Sequence, residues 1–160
     1  METATAIKTA ILGFGNPVRS DDGIGVYVAN ELKKRLSHRE DITVFDMGTS
    51  AFEVLFQLEG HQRIIITDAV MNSGEPDGTL FSLPASEINT RLQDDPLVFL
   101  HGLKWDQALS YARRIMKEKY PADHIRVYLI AISDISMEIQ LSEEVRSAGD
   151  RLIEIILKEL

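Results

Sequence analysis

Two kinds of hydrophobic pattern alternate along this chain. Short apolar or alternating runs are typical of β-strands, and stretches in which apolar residues recur every three or four positions are typical of amphipathic helices. The predicted strands cover residues 7–14, 41–46, 62–70, 79–83 and 124–132. The predicted helices cover residues 23–36, 51–60, 105–116 and 142–156. Strands and helices therefore alternate along most of the sequence.

This order of elements predicts an α/β fold. Right-handed crossovers between parallel strands place the connecting helices on both faces of the sheet. We expect a three-layer α/β/α sandwich around a mostly parallel, twisted sheet of about five strands. A length of 160 residues is typical of one domain, and no repeat or linker divides the chain. A single domain over residues 1–160 is the expectation.

Four acidic residues follow or end the predicted strands. Asp22 comes after the first strand, Asp46 and Asp68 end the second and third, and Asp134 follows the last. In sheets of this kind, ligands bind beyond the carboxyl ends of the strands. If the four strands are parallel, these acids share one edge of the sheet, where function is expected.

Composition narrows the classes of partner. The 25 Asp and Glu residues against 17 Lys and Arg give a net charge of −8, which opposes nonspecific binding to nucleic acid or to an anionic membrane. The absence of cysteine excludes disulfides, thiolate metal ligands and a cysteine nucleophile, and it fits a reducing cytoplasm. No apolar run reaches the roughly 18 residues of a membrane span, and residues 1–15 lack the pattern of a signal peptide. We expect a cytoplasmic protein with neither nucleic acid nor membrane as partner.

The loop GFGNPVRSDDGIG, residues 13–25, is similar at first sight to a phosphate-binding glycine loop. Val18 stands where the third glycine of a dinucleotide fingerprint belongs, and two carboxylates would repel a pyrophosphate. A nucleotide-binding Rossmann-like protein is therefore the less favoured alternative. One acid can cap the following helix, and we assign that cap to Asp21, which leaves Asp22 for a ligand. Asn16 is expected to brace the turn through its side chain.

Two later positions carry candidate chemistry. Asp68 follows three isoleucines at an apolar strand end, where a carboxylate needs either a loop amide or a cation as partner. His101 lies among apolar residues just before a predicted helix, where a hydrogen-bonded core histidine is the alternative to a metal ligand. The chain has neither the G-x-S-x-G elbow of serine hydrolases nor the H-E-x-x-H helix of zinc proteases. A glycosidase with paired carboxylates stays open, although no long aromatic-lined groove is evident.

Four segments occur in order along nearly the whole chain: GFGNPVRSDDGIG, then DMGTS after the second strand, ITDAV at the third, and LHG about thirty residues later. Together they resemble the endopeptidases that mature nickel-iron hydrogenases. The resemblance implies removal of a short C-terminal extension from a hydrogenase large-subunit precursor after nickel insertion. It also implies that Asp22, Asp68 and His101 form the metal-binding and catalytic site. Met47 replaces a glycine of the family pattern, and Asp134 lacks the proline that follows it in many relatives, so no role is assigned to Asp134.

Two carboxylates and an imidazole suit a borderline divalent ion such as nickel, with coordination positions left open. By the resemblance this nickel belongs to the precursor, and no organic cofactor is expected. Metal-assisted hydrolysis and a carboxylate-activated water are both open as mechanisms. A noncatalytic assembly chaperone that binds the precursor without cutting it is the alternative function.

Residues beside this site are candidates for substrate contact. They are Asn16, Asp46, Gly48 and Thr49. For the last three, turn formation is an equally open role, because glycine supplies unusual backbone angles and a threonine can cap the next helix.

Overall fold

A five-stranded sheet organises the molecule. The computed structural model describes residues 7–50, 54–87 and 105–160. The strands are β1 (Thr9–Phe14), β2 (Ile42–Gly48), β3 (Arg63–Met71), β4 (Leu80–Pro84) and β5 (Ile125–Ile132). Their order is β2-β1-β3-β5-β4, with β4 antiparallel to β5 and the other pairs parallel. The predicted mostly parallel sheet is confirmed.

Four α-helices connect or follow these strands in the described part of the chain. They are α1 (Ile24–Arg35), α2 (Val54–Gly60), α3 (Trp105–Met116) and α4 (Glu143–Glu159). A short 3-10 helix, Ser20–Gly23, precedes α1. Among these helices, none combines the length and the apolar character that crossing a membrane requires.

Helices cover both faces of the sheet. Successive strand side chains point to opposite faces, and the apolar ones on each face pack against helices. Ile11 and Ile65 pack into a core with α1 and α4. Leu12, Ile64 and Ile66 pack into a second core with α2 and α3. This division confirms the three-layer α/β/α arrangement.

Close packing brings the start of α1 onto the sheet. A Cβ atom on Gly25 would collide with Phe14 O and would lie 2.5 Å from Thr67 O and 2.9 Å from Asp68 Cα. Thr67 Oγ1 also donates to Gly25 O at 3.0 Å. Glycine is required at this contact because no side chain fits between the helix and β3. The 3-10 helix that carries Asp22 is thereby held beside Asp68.

The strand ends differ slightly from the sequence pattern. β3 ends at Met71, one residue beyond the predicted range of 62–70, and β5 pairs with it as far as that residue. β2 continues to Gly48 instead of ending at Asp46. Gly13 pairs with Asp46 and Phe14 pairs with Gly48, so Met47 is the extra residue of a β-bulge, and its side chain is buried. The predicted turn therefore begins after Gly48.

Candidate active site

The carboxyl ends of the parallel strands meet at one edge, which carries acids from four segments. Asp22 follows β1, Asp46 lies near the end of β2, Asp68 lies within β3, and Asp134 follows β5. The 3-10 helix of Asp22 packs directly against β3. Of the predicted metal ligands, the structure thus places Asp22 and Asp68 on contacting elements.

Asp22 is held by the loop that precedes it. Asn16 N donates to Asp22 Oδ2 at 3.0 Å, and the Asp22 side chain is half-buried. Val18 N donates to Asn16 Oδ1 at 3.1 Å, which confirms the expected bracing of the turn by Asn16. Asp22 Oδ1 accepts no hydrogen bond from residues 7–50, 54–87 or 105–160. One oxygen is therefore oriented by the main chain while the other is available to a ligand.

Asp21 does not cap the helix that follows it, so that prediction is wrong. Its carboxylate is fully buried and accepts hydrogen bonds from Ser142 N at 2.7 Å and Ser142 Oγ at 2.9 Å. The N-cap position of α1 is Gly23, and no side chain donates or accepts a capping hydrogen bond there. Asp21 instead turns towards the beginning of α4, where unpaired N–H groups and the helix dipole favour a carboxylate. Ser142 is the N-cap position of α4.

Asp68 is oriented by donors from two elements. Ala69 N donates to Asp68 Oδ1 at 2.7 Å, and Trp105 Nε1 donates to Asp68 Oδ2 at 2.7 Å. In the sequence, Trp105 begins the helical pattern of residues 105–116 and counts only as one of its apolar positions. The available signal was its indole N–H, because a buried tryptophan normally finds an acceptor.

The remaining predicted residues have local contacts or lie elsewhere. Asp46 is exposed and its Oδ1 accepts from Gly48 N at 3.0 Å, while Gly48 has φ +54° and Thr49 lies exposed in the turn. These contacts fit the turn-forming role, and substrate contact stays a prediction. His101 lies outside the described residues. Among the residues described, no three His, Asp or Glu side chains form a group that could hold a metal ion.

The segment that follows β5 is hydrogen-bonded to the glycine loop that follows β1. Ser20, which is buried with φ +52°, donates from its backbone N to Glu138 O at 2.6 Å and from its Oγ to Gln140 O at 2.8 Å. Asp134 Oδ1 accepts from Ser136 N at 2.9 Å, and this bond holds the pKa of the Asp134 carboxyl below its ordinary value. The bonds of Ser20 tie the segment that follows β1 to the segment that follows β5.

Comparison with known proteins assigns the fold and the family. Over 137 residues the chain is 27% identical to Protein FrxA of Pyrococcus furiosus, covering 86% of this chain and 93% of that protein. Over 82 residues it is 28% identical to the Hydrogenase 2 maturation protease of Escherichia coli, covering 51% of this chain and only 50% of that protein.

A solved structure has the same fold. It is the NiFe hydrogenase maturation protease HycI from Thermococcus kodakarensis KOD1, which superposes with a TM-score of 0.72 at 23% identity and covers 95% of this chain and 91% of that one. The family model HycI, hydrogenase maturation protease, matches residues 26–159, a range that includes Asp68 and His101 and begins just after the loop of Asp22. The chain therefore belongs to the hydrogenase maturation protease family and is a peptidase, as the motifs of its sequence predict.

Proposed function

We propose that this chain is the endopeptidase that removes the C-terminal extension of a nickel-iron hydrogenase large-subunit precursor after nickel insertion. In this proposal Asp22, Asp68 and His101 engage the nickel held in the precursor. The observation that carries it is the position of Asp22 and Asp68 on contacting elements, the 3-10 helix and β3, with each carboxylate oriented by N–H donors.

The chemistry of the two carboxylates fits a divalent ion of the substrate. Carboxylate oxygens and a neutral imidazole are ordinary ligands for nickel and zinc. Ligating carboxylates in proteins are usually held by further hydrogen bonds, as Asp68 is by Ala69 and Trp105. Asp22 Oδ1 is also suited to coordinate the metal ion, because it accepts no hydrogen bond from the described residues.

His101 is the proposed third ligand. It precedes Trp105 by four residues in the sequence. Four residues of extended chain span at most about 14 Å. Trp105 is bonded to Asp68, so the covalent connection allows His101 to reach the same edge of the sheet.

Binding the precursor through its nickel would place the scissile peptide beside these carboxylates. Water then attacks the peptide carbonyl carbon, the C–N bond breaks, and the departing nitrogen takes a proton. Two routes use the same residues. Either the nickel of the substrate polarises the carbonyl, or a carboxylate accepts a proton from the attacking water. In both routes precursor without nickel is a poor substrate, because it lacks the group that docks it.

The assignment of ligands is tested by variants at the same edge of the sheet. Loss of an outer hydrogen-bond partner typically costs about 10- to 100-fold in metal affinity or activity, so Asp22→Asn, Asp68→Asn and His101→Ala are each expected to lower processing of nickel-loaded precursor by more than about 100-fold. Asp134→Asn is the matched control, since Asp134 lies at this edge but has no assigned role. Near-normal processing by Asp22→Asn and Asp68→Asn would show the assignment to be wrong.

A further inference from the structure

Trp105 is the first residue of α3, and its indole N–H reaches across to a candidate ligand on β3. The distance from Trp105 Nε1 to Asp68 Oδ2 is 2.7 Å, and the Trp105 side chain is only 9% exposed. It is the only tryptophan of the chain. The predicted catalytic set does not include it.

We propose that Trp105 is a positioning residue, which fixes the Asp68 carboxylate in the orientation that receives the nickel of the precursor. This inference rests on the proposed function. Trp105 itself touches neither the nickel nor the scissile peptide and acts only through Asp68.

The backbones of both partners are already fixed, so the contact acts on the carboxylate itself. Asp68 pairs with Leu129 in the sheet, and Gly25 packs against its Cα. The Trp105 ring packs in the core formed with α2 and α3. The remaining freedom of Asp68 is rotation of its side chain, and the donors Ala69 N and Trp105 Nε1 together restrain that rotation at both oxygens.

Hydrogen bonding from a neutral donor also suits a ligand better than an ion pair would. An arginine or lysine at this position would compete with the nickel for the charge of the carboxylate, whereas an indole N–H orients the carboxylate and leaves that charge in place. A site held on a strand and a helix is also more accurately positioned than one on loops. A packing role alone would require the indole ring but not its N–H group.

The test removes that N–H and measures the dissociation constant for nickel-loaded precursor. Trp105→Phe removes it together with part of the ring. A second form keeps the bulk by replacing tryptophan with benzothienylalanine, in which sulfur takes the place of the N–H, and the single tryptophan makes this replacement specific. The control is Tyr27→Phe, which removes another donor to a carboxylate, Tyr27 Oη to Asp150 Oδ1 at 2.7 Å. Each is measured in the wild-type and Asp68→Asn backgrounds.

Both changes at Trp105 are expected to weaken binding of nickel-loaded precursor by about 10- to 100-fold while the melting temperature of the benzothienylalanine form stays close to wild type. In the Asp68→Asn background the same changes should have little further effect, because Trp105 acts through that carboxylate. Unchanged binding by the benzothienylalanine form, or equal losses in both backgrounds, would overturn the role of Trp105. Equal binding of nickel-loaded and nickel-free precursor by the wild type would instead overturn the proposed function.

Discussion

The buried carboxylate of Asp21 accepts two hydrogen bonds from Ser142, one from its backbone N at 2.7 Å and one from its Oγ at 2.9 Å. These residues are 121 positions apart in the chain. The contact ties the glycine loop after β1 to the start of α4. The two adjacent acids therefore differ in their contacts. Asp21 bonds the loop to α4, whereas Asp22 lies at the edge of the sheet and is bonded only within its own loop.

Removing this contact should lower stability. Hydrogen bonds to a charged group contribute about 1.5–3 kcal/mol, and a buried donor left unpaired is costly. Asp21→Ala is expected to lower the free energy of unfolding by about 3 kcal/mol, and Ser142→Ala, which keeps the backbone donor, by about 1 kcal/mol. Urea denaturation measures both.

Asp22→Asn is the matched comparison, because it changes the neighbouring acid. It should leave the unfolding free energy within about 0.5 kcal/mol of wild type while lowering processing by more than about 100-fold. If Asp22→Asn destabilises the protein as strongly as Asp21→Ala, the division of tasks between the two acids is wrong.

Gly25→Ala should disturb both stability and processing. The added methyl would collide with Phe14 O and Thr67 O, and overpacking of this kind costs about 1–3 kcal/mol. Relief requires α1 to move away from β3, which separates Asp22 from Asp68. Chemical denaturation and processing of precursor measure the two effects.

Gly60→Ala serves as the control, because a Cβ atom on Gly60 meets nothing within 4 Å. It should change neither stability nor processing appreciably. Similar behaviour of the two alanine variants would contradict the close packing of α1 on β3.

Alkaline pH should weaken the contact between α1 and α4. Burial, followed by the hydrogen bond to Asp150, raises the pKa of the Tyr27 hydroxyl above its ordinary value of 10.0. The folded state therefore retains this proton longer than the unfolded state does. The resulting stability is fully present below pH 10 and is lost as the pH rises through the raised pKa.

Tyr27→Phe has no such proton, so the unfolding free energy of the wild type should fall towards that of this variant as the pH rises from 10 through the raised pKa. Denaturation at a series of alkaline pH values tests this. A constant difference between the two proteins across the series would show that the Tyr27 proton contributes nothing.

Hydrophobic periodicity was sufficient to predict the elements and the layers. The run of isoleucines predicts β3 as a strand, and the apolar face of residues 142–156 predicts α4 as a helix. Neither prediction depends on the elements against which they pack. The β-bulge at Met47 and the continuation of β2 to Gly48 do not follow from the pattern, because both depend on the register with β1.

The candidate site was predictable only in part, for a related reason. Asp22 follows the first predicted strand and Asp68 follows a run of three isoleucines, so the sequence alone predicts both as ligands. The partner of Asp21 lies 121 residues away, and the contact of Trp105 with Asp68 joins a helix to a strand. A one-dimensional pattern contains neither pairing, so it favours a local cap at Asp21 and an apolar helix position at Trp105.

We propose that cleavage requires the nickel of the precursor. The most direct measurement mixes the protein with nickel-loaded and with nickel-free forms of its cognate large-subunit precursor and follows the mass of each precursor. Only the nickel-loaded form should lose the mass of its C-terminal extension. Equal cleavage of both forms, or unchanged mass in both, would show that this proposal is wrong.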